Sequence, residues 1–371
     1  MSENTKILHI LTEHGWRGGE AQALSLCQGL LKHGFNPLIC TPTHSEFAKR
    51  TQDLHISIYE IPHLSGINIR ALSIVRRIIK KERPALIHCH TATAHSLVLA
   101  AVMGNPAYQN RPIIVSRRVD FSVALNPFSR WKYINPRIHY IAISRGVKDV
   151  LLQAGIPDKQ VDVVYSGIDP ERFTTATLDR QTMRRELAVP EHAFVIGNVA
   201  ALTDHKGHRF LIDAAALVHK TIPHTIVLIA GEGEEHSSLK ARIQRQNLDN
   251  IVQLLGYRND IGNVMKTFDI FALSSHKEGL CTSLLDAMLL EIPVIATRTG
   301  GVPDAVSHNE TGLLVEPKNP EALAEAIIFA HNNPALMRSM AAHARQRVLE
   351  LFTVDRMVTE TIKVYQKYIH T

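Results

Sequence analysis

The segment "KILHILTEHGWRGGEAQALSL", residues 6–26, decides the fold that we expect for this chain of 371 residues. It opens with a short apolar run, residues 6–11, which is typical of a buried strand. Glycines follow at positions 15, 18 and 19, and helical spacing of apolar residues begins near Glu20. A strand, a glycine-containing turn and a helix together form the repeating unit of a parallel α/β sheet.

Strands and helices alternate in this way along most of the chain. Short apolar runs predict buried strands at residues 6–11, 36–41, 85–89, 112–116, 138–143, 195–200, 225–230, 250–255, 269–273 and 293–297. Segments with helical spacing separate the first strands, at residues 20–33, 68–83, 93–103 and 145–154. This alternation predicts an α/β protein with parallel, doubly wound sheets, and the length of the chain favours two Rossmann-like domains in series.

The boundary between the two predicted domains lies in "YSGIDPERFTTATLDR", residues 165–180, where glycine, proline and a threonine cluster interrupt the pattern. We expect an N-terminal domain over residues 1–168, a C-terminal domain over 169–352 and a final helix over 353–371. The apolar residues of this last segment predict that it packs outside the second sheet or, alternatively, back toward the N-terminal domain.

The composition is that of an ordinary globular protein, with 45% hydrophobic and 20% charged residues. The N-terminus lacks the features of a signal peptide, and no apolar run reaches the roughly 18 residues that a membrane span needs. Cys27, Cys40, Cys89 and Cys281 form no CxxC pair, which indicates buried thiols of a reducing compartment. We therefore expect a cytoplasmic protein.

The positive charge is concentrated in the first half of the chain. Residues 1–170 hold 20 Lys and Arg against 12 Asp and Glu, a net charge of +8, whereas the whole chain carries +6. This excess suits a phosphate-bearing substrate or a lipid headgroup surface, or simply a solvated basic face. Basic residues stand among aromatic ones at 115–133 and around an apolar stripe at 68–83. The second pattern is also that of an ordinary sheet-covering helix, which we prefer.

Two loops between a predicted strand and a predicted helix could bind an anion. At Gly15, Gly18 and Gly19 the backbone can approach a ligand closely, and the following helix offers free N–H groups. This loop is not GxGxxG, and no acidic residue ends the second strand, so a nicotinamide dinucleotide is disfavoured. Lys206 and Gly207 precede a helix of the second domain, where an ammonium group and N–H groups could both meet a phosphate.

The segment "HKEGLCTSLLDAM", residues 276–288, provides a third such loop. The amides of residues 279–282, at the start of a predicted helix over 282–290, would face outward and bind an anion. Glu278 ahead of this helix and Asp286 within it could accept hydrogen bonds from sugar hydroxyls. Together these groups describe a site for a nucleotide-sugar. On spacing alone, a helix-start acid and a solvated aspartate are the alternative.

Taken in order, these motifs resemble those of the retaining family 4 glycosyltransferases of the GT-B fold. The resemblance extends over essentially the full length of this chain. The matching stretches are the glycine loop at 15–20, "ALIHCHTA", "YSGIDPERF", "HKG", the Glu278-x7-Asp286 pair and "VIATRTGGVPDAV". The resemblance implies two Rossmann-like domains that face each other across a cleft. No cofactor and no metal are expected, because the nucleoside-diphosphate-sugar is a substrate and a lysine with helix-start amides can oppose its charge.

The resemblance also implies a role for each matching residue. Lys206 would neutralise the diphosphate, Glu278 would contact the donor sugar and His90 would lie near the transferred sugar, so these are the candidate catalytic residues. Further candidates for donor binding are Gly279, Leu280, Cys281 and Thr282 at the diphosphate, Asp286 at the ribose, and Leu255, Gly256, Tyr257 and Arg258 beside the base. Candidates near the diphosphate or the acceptor are Arg17, Gly18 and Gly19.

Two positions depart from the family pattern. Asp286 stands where glutamate is usual, so its reach is one methylene shorter. Ala201, in "VAALTDHKG", stands where the family has an arginine, which removes one of two cations expected at the diphosphate. Loss of such a charge-assisted contact costs about 1.5–3 kcal/mol. Arg17, Arg258 or another cation would have to substitute, or the donor is bound weakly.

His88 and His90 share one face of a strand, but the sequence shows no third ligand nearby, so a metal site is disfavoured. We interpret His90 as a hydrogen-bonding group at the end of a strand, with core packing as the alternative.

The sequence therefore predicts a retaining glycosyltransferase that moves a sugar from a nucleoside diphosphate to a hydroxyl acceptor, in cell-surface glycan or glycolipid synthesis. A lipid-linked acceptor and peripheral contact with the inner face of the membrane are further expectations, whereas nucleic acid is not an expected partner. The alternatives are a nucleotide-sugar 2-epimerase of the same fold and a non-catalytic nucleotide-sugar-binding protein, for which Ala201 would be the first sign of lost activity.

Overall fold

The computed structural model describes residues 4–54, 56–63, 68–103, 111–120, 127–174 and 176–369, so part of the basic segment 115–133 lies outside the described residues. The chain divides into two compact units. The first consists of Met1–Gly167 together with Val354–Thr371, and the second of Ile168–Thr353. The change from the first unit to the second thus falls within the segment 165–180, where the sequence pattern is interrupted.

The described part of the first unit contains a sheet of seven parallel strands. They are β1 (Thr5–Ile10), β2 (Phe35–Pro42), β3 (Ser57–Ile61), β4 (Leu86–Cys89), β5 (Ile113–Arg117), β6 (Ile138–Ala142) and β7 (Val161–Val163). The helices of this part are α1 (Gly18–Lys32), α2 (Glu46–Arg50), α3 (Ile69–Glu82), α4 (Ala92–Val102), α5 (Pro127–Tyr133) and α6 (Arg145–Gln153). The strand order is β3-β2-β1-β4-β5-β6-β7, so the winding direction reverses between β1 and β4.

The second unit repeats this architecture, with six strands in its described residues. They are β8 (Phe194–Val199), β9 (Thr225–Ala230), β10 (Val252–Gly256), β11 (Ile270–Leu273), β12 (Val294–Thr297) and β13 (Leu313–Val315). The helices are α7 (Arg180–Glu186), α8 (His208–Thr221), α9 (His236–Arg245), α10 (Ile261–Met265), α11 (Thr282–Leu289), α12 (Val302–Ala305), α13 (Pro320–Asn332) and α14 (Pro334–Leu351). The order β10-β9-β8-β11-β12-β13 reverses between β8 and β11.

The apolar runs form strands because helices cover both faces of each sheet, so that side chains on both faces are buried. Every residue of β9 and β4 is buried, as expected for central strands of a parallel sheet. All the strands predicted from the sequence are confirmed. The sequence analysis missed β3, β7 and β13, which lie at sheet edges, are short or half-exposed and therefore lack a continuous apolar run. The four cysteines are buried and free, as predicted.

The last helix, α15 (Val354–Ile369), packs against α1 and belongs to the first unit. Its buried residues Val358 and Tyr365 join the core of that unit with Leu26. A Cβ placed on Gly29 of α1 would lie 2.3 Å from Cγ2 of Val358, so the glycine provides the space that α15 fills. The expectation that this segment packs outside the second sheet is therefore wrong.

The basic helix α3 buries its apolar stripe within the first unit. Ala71, Val75, Ile78 and Ile79 are buried, whereas the arginines and lysines between them are exposed. This confirms the interpretation of α3 as a sheet-covering helix with a basic outer side. Within the described ranges, no helix is both long and apolar enough to cross a membrane.

Candidate functional site

Lys206 lies in a short 3-10 turn, Asp204–Lys206, between β8 and α8. Gly207 follows with a φ of +66°, a left-handed conformation that favours glycine. A Cβ at this position would lie 2.2 Å from the backbone oxygen of Ser274, just after β11. The hydroxyl of Ser274 also donates a hydrogen bond to the carbonyl of Lys206 over 3.2 Å. The turn that carries Lys206 is thus fixed against the end of the neighbouring strand.

Lys206 and Glu278 form a direct ion pair. The ammonium group donates to Oε2 of Glu278 over 2.6 Å, and the Ser275 hydroxyl donates to the same oxygen over 3.2 Å. The side chains of Lys206 and Glu278 are 15% and 8% exposed, so water screens the pair only weakly. Because β8 and β11 flank the reversal of strand order, the pair lies at the switch point where doubly wound sheets bind ligands.

The start of α11 lies beside this ion pair in sequence and in space. Among the described residues, no backbone carbonyl accepts a hydrogen bond from the amides of residues 279–281, as is usual before the first turn of a helix. The hydroxyl of Ser283 donates to the carbonyl of Val199 over 2.5 Å, which ties α11 to the end of β8. Residues 279–281 are buried and Thr282 is half-buried, so this turn is less exposed than the sequence predicted.

Asp286 is buried within α11, with 5% of its surface exposed, and accepts a hydrogen bond from Nη1 of Arg172 over 3.1 Å. Burial raises the pKa of Asp286 to about 7, and the positive charge of Arg172 opposes this shift. The alternative interpretation of a solvated aspartate is therefore wrong. A ligand hydroxyl that reached Asp286 would share this carboxylate with Arg172.

The residues predicted beside the base lie at the end of β10 and directly after it, at the edge of the second sheet. Gly256 has a φ of +67°, and the Tyr257 side chain is 71% exposed, so its ring is available for stacking. Arg258 forms two hydrogen bonds with Asp260, of 2.8 and 2.5 Å. Its charge is thus paired with Asp260 in this structure, whereas Ala201, where the family has an arginine, is exposed.

In the first unit, Gly18 and Gly19 form the start of α1, directly after Arg17. The carboxylate of Glu20 accepts a hydrogen bond from the backbone N–H of Arg17 over 3.0 Å. The loops after β1 and β4 are joined by the hydroxyls of Thr12 and Thr91, which lie 2.6 Å apart. These loops therefore meet at the reversal of strand order in the first sheet, as Lys206 and Glu278 do in the second.

His90 follows β4 and contacts a histidine that the sequence analysis missed. The register of β1 and β4 places His9 opposite His88. Nδ1 of His9 and Nε2 of His90 lie at a hydrogen-bonding distance of 3.0 Å, and the rings of His88 and His90 stack at 4.2 Å. Burial lowers the pKa of all three rings, that of His9 to about 3, so they are neutral at neutral pH. The available signal was a histidine in each of the predicted strands 6–11 and 85–89, but only the structure shows that these strands are neighbours.

The three imidazoles offer nitrogen atoms within 4.8 Å of one another, a ligand number found in zinc sites. Both nitrogens of His88 already have partners, however, because Nδ1 lies 2.6 Å from the Tyr365 hydroxyl and Nε2 lies 2.8 Å from that of Ser116. The charge of Arg118 also lowers the pKa of His88 and His90, so it would repel a metal ion as well. A metal is disfavoured on these grounds, but the statement that no third ligand lies nearby is wrong.

Comparison with known proteins finds matches over both units. The family described as "Glycosyl transferases group 1" matches residues 179–347, and "Glycosyltransferase Family 4" matches residues 16–172. The UDP-Gal:alpha-D-GlcNAc-diphosphoundecaprenol alpha-1,3-galactosyltransferase of Escherichia coli is 23% identical over 307 residues, which are 80% of this chain and 79% of that protein.

Two solved structures share the fold over nearly the whole chain. A glycosyltransferase from Rickettsia africae superposes with a TM-score of 0.86 at 23% identity, covering 99% of each chain. Anabaena HepE, solved in complex with UDP-glucose, superposes with a TM-score of 0.83 at 23% identity, covering 98% of this chain and 99% of the other. Together with the two family matches, these superpositions establish the fold of both units.

Proposed function

Since this chain belongs to the family 4 glycosyltransferases of the GT-B fold, we propose that it transfers a sugar, with retention, from a nucleoside diphosphate to a hydroxyl acceptor. One observation carries the proposed donor site: the ion pair of Lys206 and Glu278 at the switch point of the second sheet, beside the amides of residues 279–281, for which the described residues provide no backbone carbonyl partner. The UDP-glucose bound to HepE supports a UDP-sugar as donor. The diphosphoundecaprenol acceptor of the Escherichia coli relative supports a lipid-linked acceptor.

The transfer breaks the bond between the anomeric carbon of the sugar and an oxygen of the β-phosphate. The nucleoside diphosphate leaves with the bonding electrons, so negative charge grows on its phosphate oxygens. The ammonium group of Lys206 carries a positive charge and can donate hydrogen bonds to phosphate oxygens. Lys206 and the amides of residues 279–281 can therefore oppose the developing charge, which is the largest contribution expected for such a reaction.

Binding of the diphosphate would also change the role of Glu278. When the ammonium group of Lys206 turns to a phosphate oxygen, the carboxylate of Glu278 becomes available to accept hydrogen bonds from sugar hydroxyls. Asp286 would accept a hydrogen bond from the ribose, and the exposed ring of Tyr257 would lie beside the base. His90 would act as a neutral hydrogen-bonding group near the sugar, since burial keeps its ring uncharged.

A nucleotide-binding experiment tests the donor site. Thermal unfolding is measured with UDP, GDP, ADP and dTDP and with their sugars. One nucleotide should raise the melting temperature, because at a concentration of 100 Kd a ligand stabilises the folded state by about 2.7 kcal/mol. The double variant Lys206→Met/Glu278→Gln should lose this effect. Lys220→Met, which removes an exposed lysine at the end of α8, should retain it. No shift with any nucleotide would refute the donor site.

An activity experiment tests the reaction itself. The stabilising nucleotide-sugar is incubated with hydroxyl acceptors, including a diphospholipid-linked sugar, and the product is analysed by NMR. Transfer with the anomeric configuration of the donor is expected. An epimeric sugar formed from the donor alone would instead identify an epimerase, and nucleotide binding without any product would identify a binding protein.

A further inference from the structure

Arg172 links the turn after Ile168 to the buried carboxylate of Asp286 in α11. Nη1 of Arg172 donates a hydrogen bond to Oδ1 of Asp286 over 3.1 Å, and the two side chains are 39% and 7% exposed. Within the described residues, Oδ2 of Asp286 accepts no hydrogen bond. One oxygen of this carboxylate is therefore held by the guanidinium, and the other is left for a ligand.

The position of Arg172 is set by packing inside the second unit. Its backbone N–H donates to the carbonyl of Asp169 over 3.2 Å, and its Cζ lies 5.0 Å from the ring centroid of Phe173. A Cβ on Gly262 would lie 2.7 Å from Cδ1 of Phe173, so this ring occupies the space that the glycine leaves in α10. The turn is thus fixed against α10, and the guanidinium is in place before a nucleotide binds.

Arg172 also lies beside the segment that follows the residues predicted at the base. Arg172 and Phe173 line a cavity of about 440 Å³ with Asn259 and Asp260, which directly follow Arg258. Arg172 therefore contacts the carboxylate predicted at the ribose and shares a cavity with the neighbours of the residues predicted at the base.

The charge of Arg172 keeps Asp286 partly ionised at neutral pH. Burial raises the pKa of Asp286 to about 7, and in the described part of the chain the charge that opposes this shift is that of Arg172. The strands β11 and β12, against which α11 packs, carry no titratable side chain. The titratable groups at the start of α11 and on the neighbouring helix α14 that do not alter this pKa are Lys206, Glu278, Cys281, His343, Arg345 and Arg347.

We propose that Arg172 is a positioning residue for the donor nucleotide, which orients the carboxylate of Asp286 and keeps it charged, so that Oδ2 accepts a hydrogen bond from a ribose hydroxyl. The inference rests on the proposed donor site. A charged carboxylate accepts shorter and stronger hydrogen bonds than a neutral group does. Arg172 acts through Asp286 and needs no contact of its own with the nucleotide.

Calorimetric titration of the full chain with UDP, between pH 6.5 and pH 8.5, tests this role. An adjacent cation lowers the pKa of an aspartate by about 1 to 3, so Arg172→Met should reduce the ionised fraction of Asp286 at pH 7 from about half to about a tenth or less. UDP binding should therefore weaken by about fivefold or more at pH 7, and the difference from the wild type should narrow as the pH rises. Arg172→Lys retains the charge and should bind UDP more tightly than Arg172→Met. The control Arg338→Met, which removes an exposed arginine of α14, should bind UDP as the wild type does.

Two further comparisons separate this role from a structural one. In Asp286→Asn, additional replacement of Arg172 by methionine should not weaken UDP binding further, because Arg172 acts through the carboxylate. The compound 2′,3′-dideoxy-UDP lacks the ribose hydroxyls and should bind to Arg172→Met and to the wild type with equal affinity. Equal weakening of UDP and of the dideoxy compound, or unchanged UDP binding in Arg172→Met, would overturn the inference.

The variant Lys206→Met/Glu278→Gln tests the donor site separately. If the wild type binds UDP, this double variant does not and Arg172→Met binds as the wild type does, the inference fails and the donor site stands. If the wild type does not bind UDP at all, the donor site fails and the inference fails with it.

Discussion

Replacement of Lys206 by methionine should destabilise the second unit, although Lys206 is a polar residue in a loop. Methionine keeps much of the length of the side chain but leaves the carboxylate of Glu278, 8% exposed, without its cation. Removing one partner of a fully buried ion pair costs about 3–5 kcal/mol. Because Lys206 is 15% exposed and Ser275 still donates to Glu278, we expect a loss of about 2–4 kcal/mol for Lys206→Met.

The double variant Lys206→Met/Glu278→Gln provides the control for this loss. It removes both charges, so its stability should return to within about 1 kcal/mol of the wild type, because two uncharged partners have no unpaired charge to bury. For a domain of this size, 1 kcal/mol corresponds to about 2–4 °C in melting temperature. Scanning calorimetry should therefore show a transition lowered by roughly 5–15 °C in Lys206→Met and restored in the double variant. Equal stability of wild type and Lys206→Met, or additive losses in the double variant, would refute the reasoning.

Three further predictions concern stability. His9 is neutral in the folded state because burial lowers its pKa from 6.5 to about 3. The unfolded chain binds this proton more readily, so the free energy of unfolding decreases as the pH falls below about 6.5. Urea unfolding should show that this free energy falls by about 2 kcal/mol less in His9→Asn than in the wild type between pH 7 and pH 5. Asp286 gives the opposite pH dependence, because its pKa is raised from 3.8 to about 7 and stability is lost as the pH rises through this range. Between pH 5 and pH 8, the free energy of unfolding of Asp286→Asn should therefore increase by about 2–3 kcal/mol relative to that of the wild type. An unchanged difference would contradict the burial argument. Gly29→Ala should cost about 1–3 kcal/mol in chemical denaturation because its Cβ meets Val358, and Val358→Ala in the same chain should recover part of that loss.

The central strands of both sheets could be predicted because each is buried on both faces and reads as an apolar run. The edge strands β3 and β7 could not, since they have mixed burial and depend on pairing with a neighbour. The position of α15 also depended on a tertiary contact: the absence of a side chain at Gly29 matters only when Val358 is packed against it.

The sequence predicted the individual residues of the candidate site better than their contacts. Lys206 and Glu278 were assigned from their motifs, but their ion pair requires β8 and β11 to be neighbours, which the strand order alone provides. His9, the third member of the histidine cluster with His88 and His90, was missed because it lies 79 residues before His88 in the sequence. Only the register of β1 and β4 places it opposite His88. The partner of Asp286, Arg172, was likewise invisible to spacing arguments.

A crystal structure of the protein with a nucleoside diphosphate tests the central claim most directly. We predict that the diphosphate lies within hydrogen-bonding distance of Nζ of Lys206 and of the amides before α11, and that the 2.6 Å contact between Lys206 and Glu278 is lengthened or lost. A nucleotide bound away from these groups, with that contact unchanged, would contradict the account.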